Sequence, residues 1–292
     1  MKQQKLKKTI KNLFTKNLSF TITFILFALY ALAILALLLF CFNASLKNGG
    51  NEFSANPYSF TRQPRFLNYI SAFTDFQVGN SNFLMMTFNS IWYSVGAIVI
   101  KIVFSSMAAY IIAKYKFRGR NFLYSLAIVI MIIPIYGALP AQYKLFTTLS
   151  MKDSPLILLV QSCCFGTEFL IIYSFFASIS WSYAESAFID GAGHMEVFWK
   201  IMFPMALPAI SAMAITGFVG IWNDYMFPLL YLEKSYPTLA LGIYLFQRVN
   251  MYTANQPIYF AGIIISLLPV MILFLVFQNT IMSNIYAGGL KG

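Results

Sequence analysis

The sequence predicts an all-α polytopic membrane protein with six transmembrane helices. Three observations carry that class. Only 10% of the 292 residues are charged, where a soluble domain has roughly 25%. Hydrophobic residues make up 59%, and mean hydropathy is +0.71. The apolar residues are gathered into six runs of about 20 residues or more, the length at which a helix crosses lipid with every backbone group satisfied internally. The 20 Lys and Arg exceed the 9 Asp and Glu by 11 charges, but they lie scattered between the runs. They form no dense basic stripe, so a nucleic-acid partner is excluded and membrane lipid is the expected surrounding.

Residues 1–19 hold six lysines and read as an N-terminal tail. The first run, Phe20 to Phe42, exceeds the 7–15 apolar residues of a secretory signal and lacks a clean small-residue cleavage site, so it is expected to span. Loop 43–86, with Gly49, Gly50, Pro57 and Pro64, has room for short helices on the outer face and not for a large domain. A core of five further helices then fills 87–281, its runs being Thr87 to Ala113, Phe122 to Ala141, Pro155 to Ser178, Ala206 to Leu232 and Ile258 to Ile281. Pro134 and Pro140 are expected to kink the third. Six spans put both termini on one side, with 282–292 as the C-terminal tail. Twelve Lys and Arg fall on that side, ten of them in 1–19 and 114–121, against seven on the other. Both termini are therefore expected in the cytoplasm. Cys41, Cys163 and Cys164 all lie within apolar runs, so neither a disulfide framework nor a metal site is expected.

The cytoplasmic segment 179–205 is the most informative. Ala184 to Ile189 contains no breaker, Asp190-Gly191 offers a stop where Gly adopts positive φ, and Pro204 is expected to end the piece that follows. In that second piece Met195, Phe198, Trp199 and Met202 share a helical face, while Glu196 and Lys200 form an i,i+4 pair. Periodicity alone leaves two uses for the apolar face, an inner headgroup layer or a protein partner. The residues Glu185, Ala187, Asp190, Gly191, Ala192, Phe198, Ile201, Pro204 and Pro208 resemble the EAA signature of ABC-importer permeases, with Ser186 in place of the triplet's middle Ala. The family's upstream Ile-Pro is Ile179-Ser180 here.

Trp222-Asn223-Asp224-Tyr225, followed by Phe227-Pro228-Leu229-Leu230, resembles the matching stretch of carbohydrate importers, and the tail 287–292 resembles their ending. The chain thus looks like a sugar permease of the maltose-permease second-subunit type, with the type I ABC importer permease fold. That resemblance implies a bacterial plasma-membrane subunit that forms half of a translocation path for sugars or oligosaccharides. It implies partners: a second homologous permease subunit, two cytoplasmic ATP-binding subunits docked on the 179–205 loop through a coupling helix, and an extracytoplasmic sugar-binding protein. ATP and Mg belong to the ATPase partner. No cofactor is expected in this chain, which lacks the phosphate-binding G-x-x-x-x-G-K-[ST] loop and is expected not to be an enzyme.

Ionisable residues inside spans are functional candidates, and there are three: Lys101, Glu168 and Asp224. Counted from the expected outer ends, Lys101 and Glu168 lie at about the same depth, roughly 20 Å at ~1.5 Å per residue. They either pair or each face a water-filled path. Gln161, Ser162, Glu168, Asn223, Asp224 and Tyr225 supply the polar and aromatic groups that hold sugar hydroxyls and ring faces, or bond between helices. His194 is expected as a surface residue. A non-sugar solute on the same architecture and an ion-coupled secondary transporter are the competing readings.

Overall fold

The computed structural model describes residues 2–132, 135–158, 165–249 and 255–289. The chain divides into two compact units, Met1–Ala72 with Thr253–Ile264, and Phe73–Tyr252 with Ile265–Gly292.

Helix α1 (Lys2–Ser45) runs unbroken for 44 residues, well past both ends of the expected first span. Its stretch Leu18–Ser45 contains no breaker and is apolar on every side, as a lipid-facing helix is. The loop that follows holds α2 (Gly49–Ala55) and α3 (Leu67–Asp75), the short helices expected there. Lys47 is fully buried in it. Its Nζ donates to Asn56 O at 2.6 Å and Ser59 Oγ at 3.2 Å, and Asn68 Nδ2 donates to both Ser45 O and Lys47 O. Buried donors find acceptors, and the loop is stapled as a result.

The second unit opens with a hairpin that the all-α reading did not anticipate, β1 (Gln77–Val78) antiparallel to β2 (Ser81–Asn82). Asn82 then caps α4 (Phe83–Lys114), its Oδ1 accepting the N–H of Met85 at 2.9 Å. Helix α4 is the spine of the unit. Its buried face carries Ile98, Ile102, Ala109 and Tyr110 among small residues such as Ala97, Ser105 and Ser106, which let neighbours approach closely. Helices α5 (Arg120–Ile132) and α6 (Ile135–Thr148) follow, the latter accommodating Pro140 in its interior. Pro134 lies outside the described residues. Helix α7 (Thr167–Ser178) packs Phe169, Ile172 and Phe176 into the same core.

Beyond it come α8 (Ser182–Ile189), α9 (His194–Met205), α10 (Leu207–Asn223), α11 (Met226–Tyr231) and α12 (Leu239–Val249). Helix α13 (Gln256–Gly289) closes the chain and carries helix into the expected C-terminal tail.

Among the described residues three helical stretches are long and apolar enough to cross a membrane alone: Leu18–Ser45, Phe83–Lys114 and Gln256–Gln278. The fourth and fifth expected runs are interrupted, and each interruption has a local cause. Gly166 is fully extended, so α7 begins only at Thr167. Asp224 is extended as well and ends α10. At the other end of α10 the chain turns by 76° from α9, at Ala206.

Candidate functional site

Two places bring the singled-out residues together, the 179–205 segment and a groove among α4, α7 and α10.

The segment starts where α7 ends. Ile179 is extended, and its carbonyl accepts from Lys114 Nζ at the end of α4. Where the family has Pro, Ser180 makes the turn with its hydroxyl, which lies 2.8 Å from Ser182 Oγ and accepts the N–H of Ser182. Helix α8 then ends in a Schellman motif: Ala192 N–H donates to Ala187 O at 2.9 Å and Gly191 N–H to Phe188 O at 3.1 Å. Gly191 holds φ at +87°, the left-handed conformation the motif demands. Ser186, the departure from the triplet, folds its hydroxyl back onto Ser182 O.

The two arms of the turn are tied by aromatic contact. Tyr115, just beyond α4, sits edge-on to Trp181 and His194, and its hydroxyl lies 2.8 Å from His194 Nδ1. His194 is exposed, yet it anchors the second arm to α4 and also meets the Phe188 ring. Sequence reasoning missed this cluster because its members lie in three separate segments.

The face buried by α9 differs from the expected one. Val197, Phe198 and Met202 are buried, while Met195 is 57% and Trp199 41% exposed. The reason is a π turn across Phe198–Met202, in which Phe203 N–H bonds Phe198 O five residues back. It takes more residues per turn than an α-helix, so positions i+3 and i+4 no longer stack as the α period requires. Pro204 also behaves differently from expectation. It sits in the first turn of a new helical stretch, where its missing N–H costs nothing, and the chain breaks two residues later at Ala206. Glu196 and Lys200 make the i,i+4 pair at 2.7 Å on the exposed side. The hydrogen bond and charge of Lys200 hold the Glu196 carboxyl below its ordinary pKa, and Glu196 raises that of Lys200 by the same contacts.

Burial thus sorts the signature residues. Ala187 and Phe198 enter the core with Ala184 and Met202, whereas Glu185, Ser186, Asp190, Gly191 and Pro204 face outward, and Ala192 and Ile201 are half-buried. Ile189 is 86% exposed at the tip. The outcome is a two-armed segment fixed by its small residues and showing an apolar ridge of Tyr183, Ile189, Met195 and Trp199, a form suited to being held by another protein.

The second place is a groove of about 390 Å³ lined by Lys101, Glu168, Thr216, Gly217, Gly220, Ile221 and Asp224. Lys101 Nζ lies 2.7 Å from Glu168 Oε1, with 27% and 12% of the two side chains exposed. The depth count that paired them needs amendment: Glu168 sits in the first turn of α7 after the extended Gly166, not midway along an unbroken helix. A carboxylate is favoured there by the helix dipole as well as by Lys101. Asp224 is not within a helix either. Its Oδ1 accepts the N–H of Met226 at 2.8 Å and of Phe227 at 3.3 Å, which starts α11.

Of the other polar candidates, Asn223 bonds its own helix at Val219 O, and Tyr225 stacks on Tyr244 at 4.4 Å. Neither lines the groove. Gln161 and Ser162 lie outside the described residues. Thr216, Gly217 and Gly220 were not singled out from sequence, although their near-helical spacing of small residues on the fifth run is a readable sign. Among the described residues no group of His, Cys, Asp and Glu has a metal-binding arrangement.

Residues 101–282 match the family described as binding-protein-dependent transport system inner membrane component. The diacetylchitobiose uptake system permease protein NgcG of Streptomyces coelicolor is 29% identical over 90% of this chain and 86% of its own. The arabinooligosaccharides transport system permease protein AraQ of Bacillus subtilis is 30% identical over 73% of this chain and 76% of its own. The fold is shared with a crystal structure of a bacterial ABC transporter involved in import of the acidic polysaccharide alginate, with TM-score 0.74 and 23% identity over 88% of this chain and 94% of that one. The match over residues 101–282 takes in the spine, the two-armed segment and the groove alike, and it places this chain in the family of inner membrane components of binding-protein-dependent transport systems, as a permease subunit.

Proposed function

We propose that the chain is the permease subunit of an ATP-driven importer for sugars or oligosaccharides, forming half of the translocation path. The 179–205 segment is the part that couples to the ATPase. The observation that carries this reading is the split of that segment between a buried small-residue face and an outward apolar ridge around the Gly191 turn. Such a segment transmits force because its base is rigid and its tip is free to be gripped. The remaining partners are a second homologous permease subunit, two ATP-binding subunits that carry ATP and Mg, and an extracytoplasmic sugar-binding protein. Glu168 and Asp224, with Lys101 between α4 and α7, are the polar groups placed to meet sugar hydroxyls in the groove. The oligosaccharide names borne by relatives support the substrate class.

Gly191→Asp is the test. A side chain at positive φ is strained, and a carboxylate at the tip repels a partner surface fitted to a glycine. Uptake of labelled oligosaccharide is expected to vanish while abundance in the membrane stays normal and the co-purified ATPase falls. Normal uptake with a normally associated ATPase would remove the coupling role. The proposed topology, with residues 1–19, 114–121, 179–205 and 282–292 in the cytoplasm, is checked separately. Single cysteines at Lys11, Lys116 and Glu196 should resist an impermeant thiol reagent added to intact cells.

A further inference from the structure

The turn between α4 and α5 carries a cluster of charge that neither the coupling segment nor the groove uses. Lys116, Arg118 and Arg120 fall within five residues, and no Asp or Glu occurs between Asp75 and Asp153. The described residues hold two side-chain ion pairs, Lys101–Glu168 and Lys200–Glu196, and neither involves these cations. Lys114 does not join them, since its Nζ turns away to Ile179 O. Gly119, at φ +94°, folds the turn so that Lys116 and Arg120 line one cavity of about 390 Å³ with Phe117, Gly119, Asn121 and Phe122. Arg120 Nη2 donates to Ala113 O at 3.3 Å, which fixes the guanidinium at the cavity wall and leaves its remaining N–H groups to other acceptors.

The apolar part of the cavity shows what kind of anion fits. Phe122 is 69% exposed, and its face continues along α5 as exposed Val129 and Ile132. Phe117 stands exposed on the other side. A free phosphate has no use for two exposed rings and an apolar helix face, and the acidic surface of a soluble protein would have little use for the α5 stripe. A lipid needs both parts, with phosphate on the cations and chains along the stripe, and aromatic rings settle at that boundary.

We propose that the α4–α5 turn binds the phosphate of an anionic phospholipid, with Lys116, Arg118 and Arg120 as its cations and Phe117 and Phe122 bracketing the headgroup. The site places a lipid beside Lys114 and Tyr115, the two residues that hold both arms of the 179–205 segment to α4.

The assembled transporter, purified with its partner subunits, is reconstituted in phosphatidylcholine vesicles containing phosphatidylglycerol and a photoactivatable phosphatidylglycerol analogue. Labelled peptides are then mapped. Label is expected within 115–122, and a photoactivatable phosphatidylcholine analogue should leave that peptide unlabelled. Inorganic phosphate added in excess should not compete. Lys116→Gln and Arg118→Gln, made singly so that the remaining cations preserve insertion, should each reduce label by about fivefold, as expected for one interfacial charge. Label elsewhere on the wild-type chain, equal label from the phosphatidylcholine analogue, or no change in both variants would overturn the site. Displacement by inorganic phosphate would assign it to a free anion. Label that emerges only once the partner subunits are stripped away would assign the turn to a protein contact. The wild-type map is read without any variant, so a variant that fails to assemble does not protect the proposal.

Discussion

Two interruptions of helix, at Gly191 and at Asp224, solve one problem by opposite means. At Gly191 the backbone satisfies itself: the Schellman bonds occupy the last carbonyls of α8, and the side chains of Asp190 and Glu185 remain free in solvent. At Asp224 a side chain does the work, because its carboxylate takes the two N–H groups that begin α11. The first break leaves a surface with nothing owed to the fold. The second keeps a negative charge beside Lys101 and Glu168, where lipid would exclude it, and couples the local fold to whatever occupies the groove. A break closed by backbone is free to serve a partner, and one closed by a charged side chain ties stability to the site's chemistry.

The largest expected effect lies at the groove. Lys101→Met strands Glu168 and should lower the stability of the assembled complex by roughly 2–3 kcal/mol, less than the ~3–5 of a fully buried pair because Lys101 keeps some solvent. Lys101→Met with Glu168→Gln should recover most of that loss. Thermal unfolding of the two singles and the double, with transport measured alongside, reads the coupling; strictly additive losses would mean the two charges act independently.

Asp224 comes next. Asp224→Ala removes the acceptor for two backbone N–H groups and should cost about 1–2 kcal/mol, whereas Asp224→Asn retains an oxygen and should restore most of it. If the charge serves transport, Asn repairs the melting temperature and not uptake. Equal recovery of both would make Asp224 a cap alone, and the two breaks would then differ less than argued here.

The smallest effect is at the exposed pair on α9. The lowered pKa of Glu196 means that its contribution is present above the unfolded value near 4.5 and fades as pH falls through the lower folded value. The raised pKa of Lys200 means that its share persists below about 10.5 and fades as pH rises beyond. Between those limits Glu196→Gln should shift the melting temperature hardly at all, since both groups are solvated. A large shift at neutral pH would show that a partner surface covers this side of the segment.

Local chemistry was the legible part of the sequence. Asp190-Gly191 announced its turn because positive φ is a property of one residue, and the unbroken apolar runs announced α1, α4 and α13. The pairing of Lys101 with Glu168 followed from opposite sign at similar depth, although the depth of Glu168 assumed a continuous helix that Gly166 interrupts. Asp224 was read as a polar group awaiting a ligand, because a carboxylate that caps the next helix looks the same in sequence as one that faces a path. The π turn at Phe198–Met202 left no trace, since nothing in Phe-Trp-Lys-Ile-Met departs from ordinary helix formers. Only packing against α4 and α7 selects which of its faces is buried, and packing is not written locally. Helix α12 was read as loop for a related reason: at 11 residues it is too short to stand out as an apolar run.

That π turn gives the segment one residue more than a regular helix of the same rise would hold. Removing a single residue from Phe198–Met202 is therefore the change most able to regularise α9, and it would swing everything up to Met205 by about 100° around the helix axis. Length variation between related chains at this point would not mark a loop. It would mark a change of register, in which one deleted codon re-aims the whole arm while leaving its composition almost untouched.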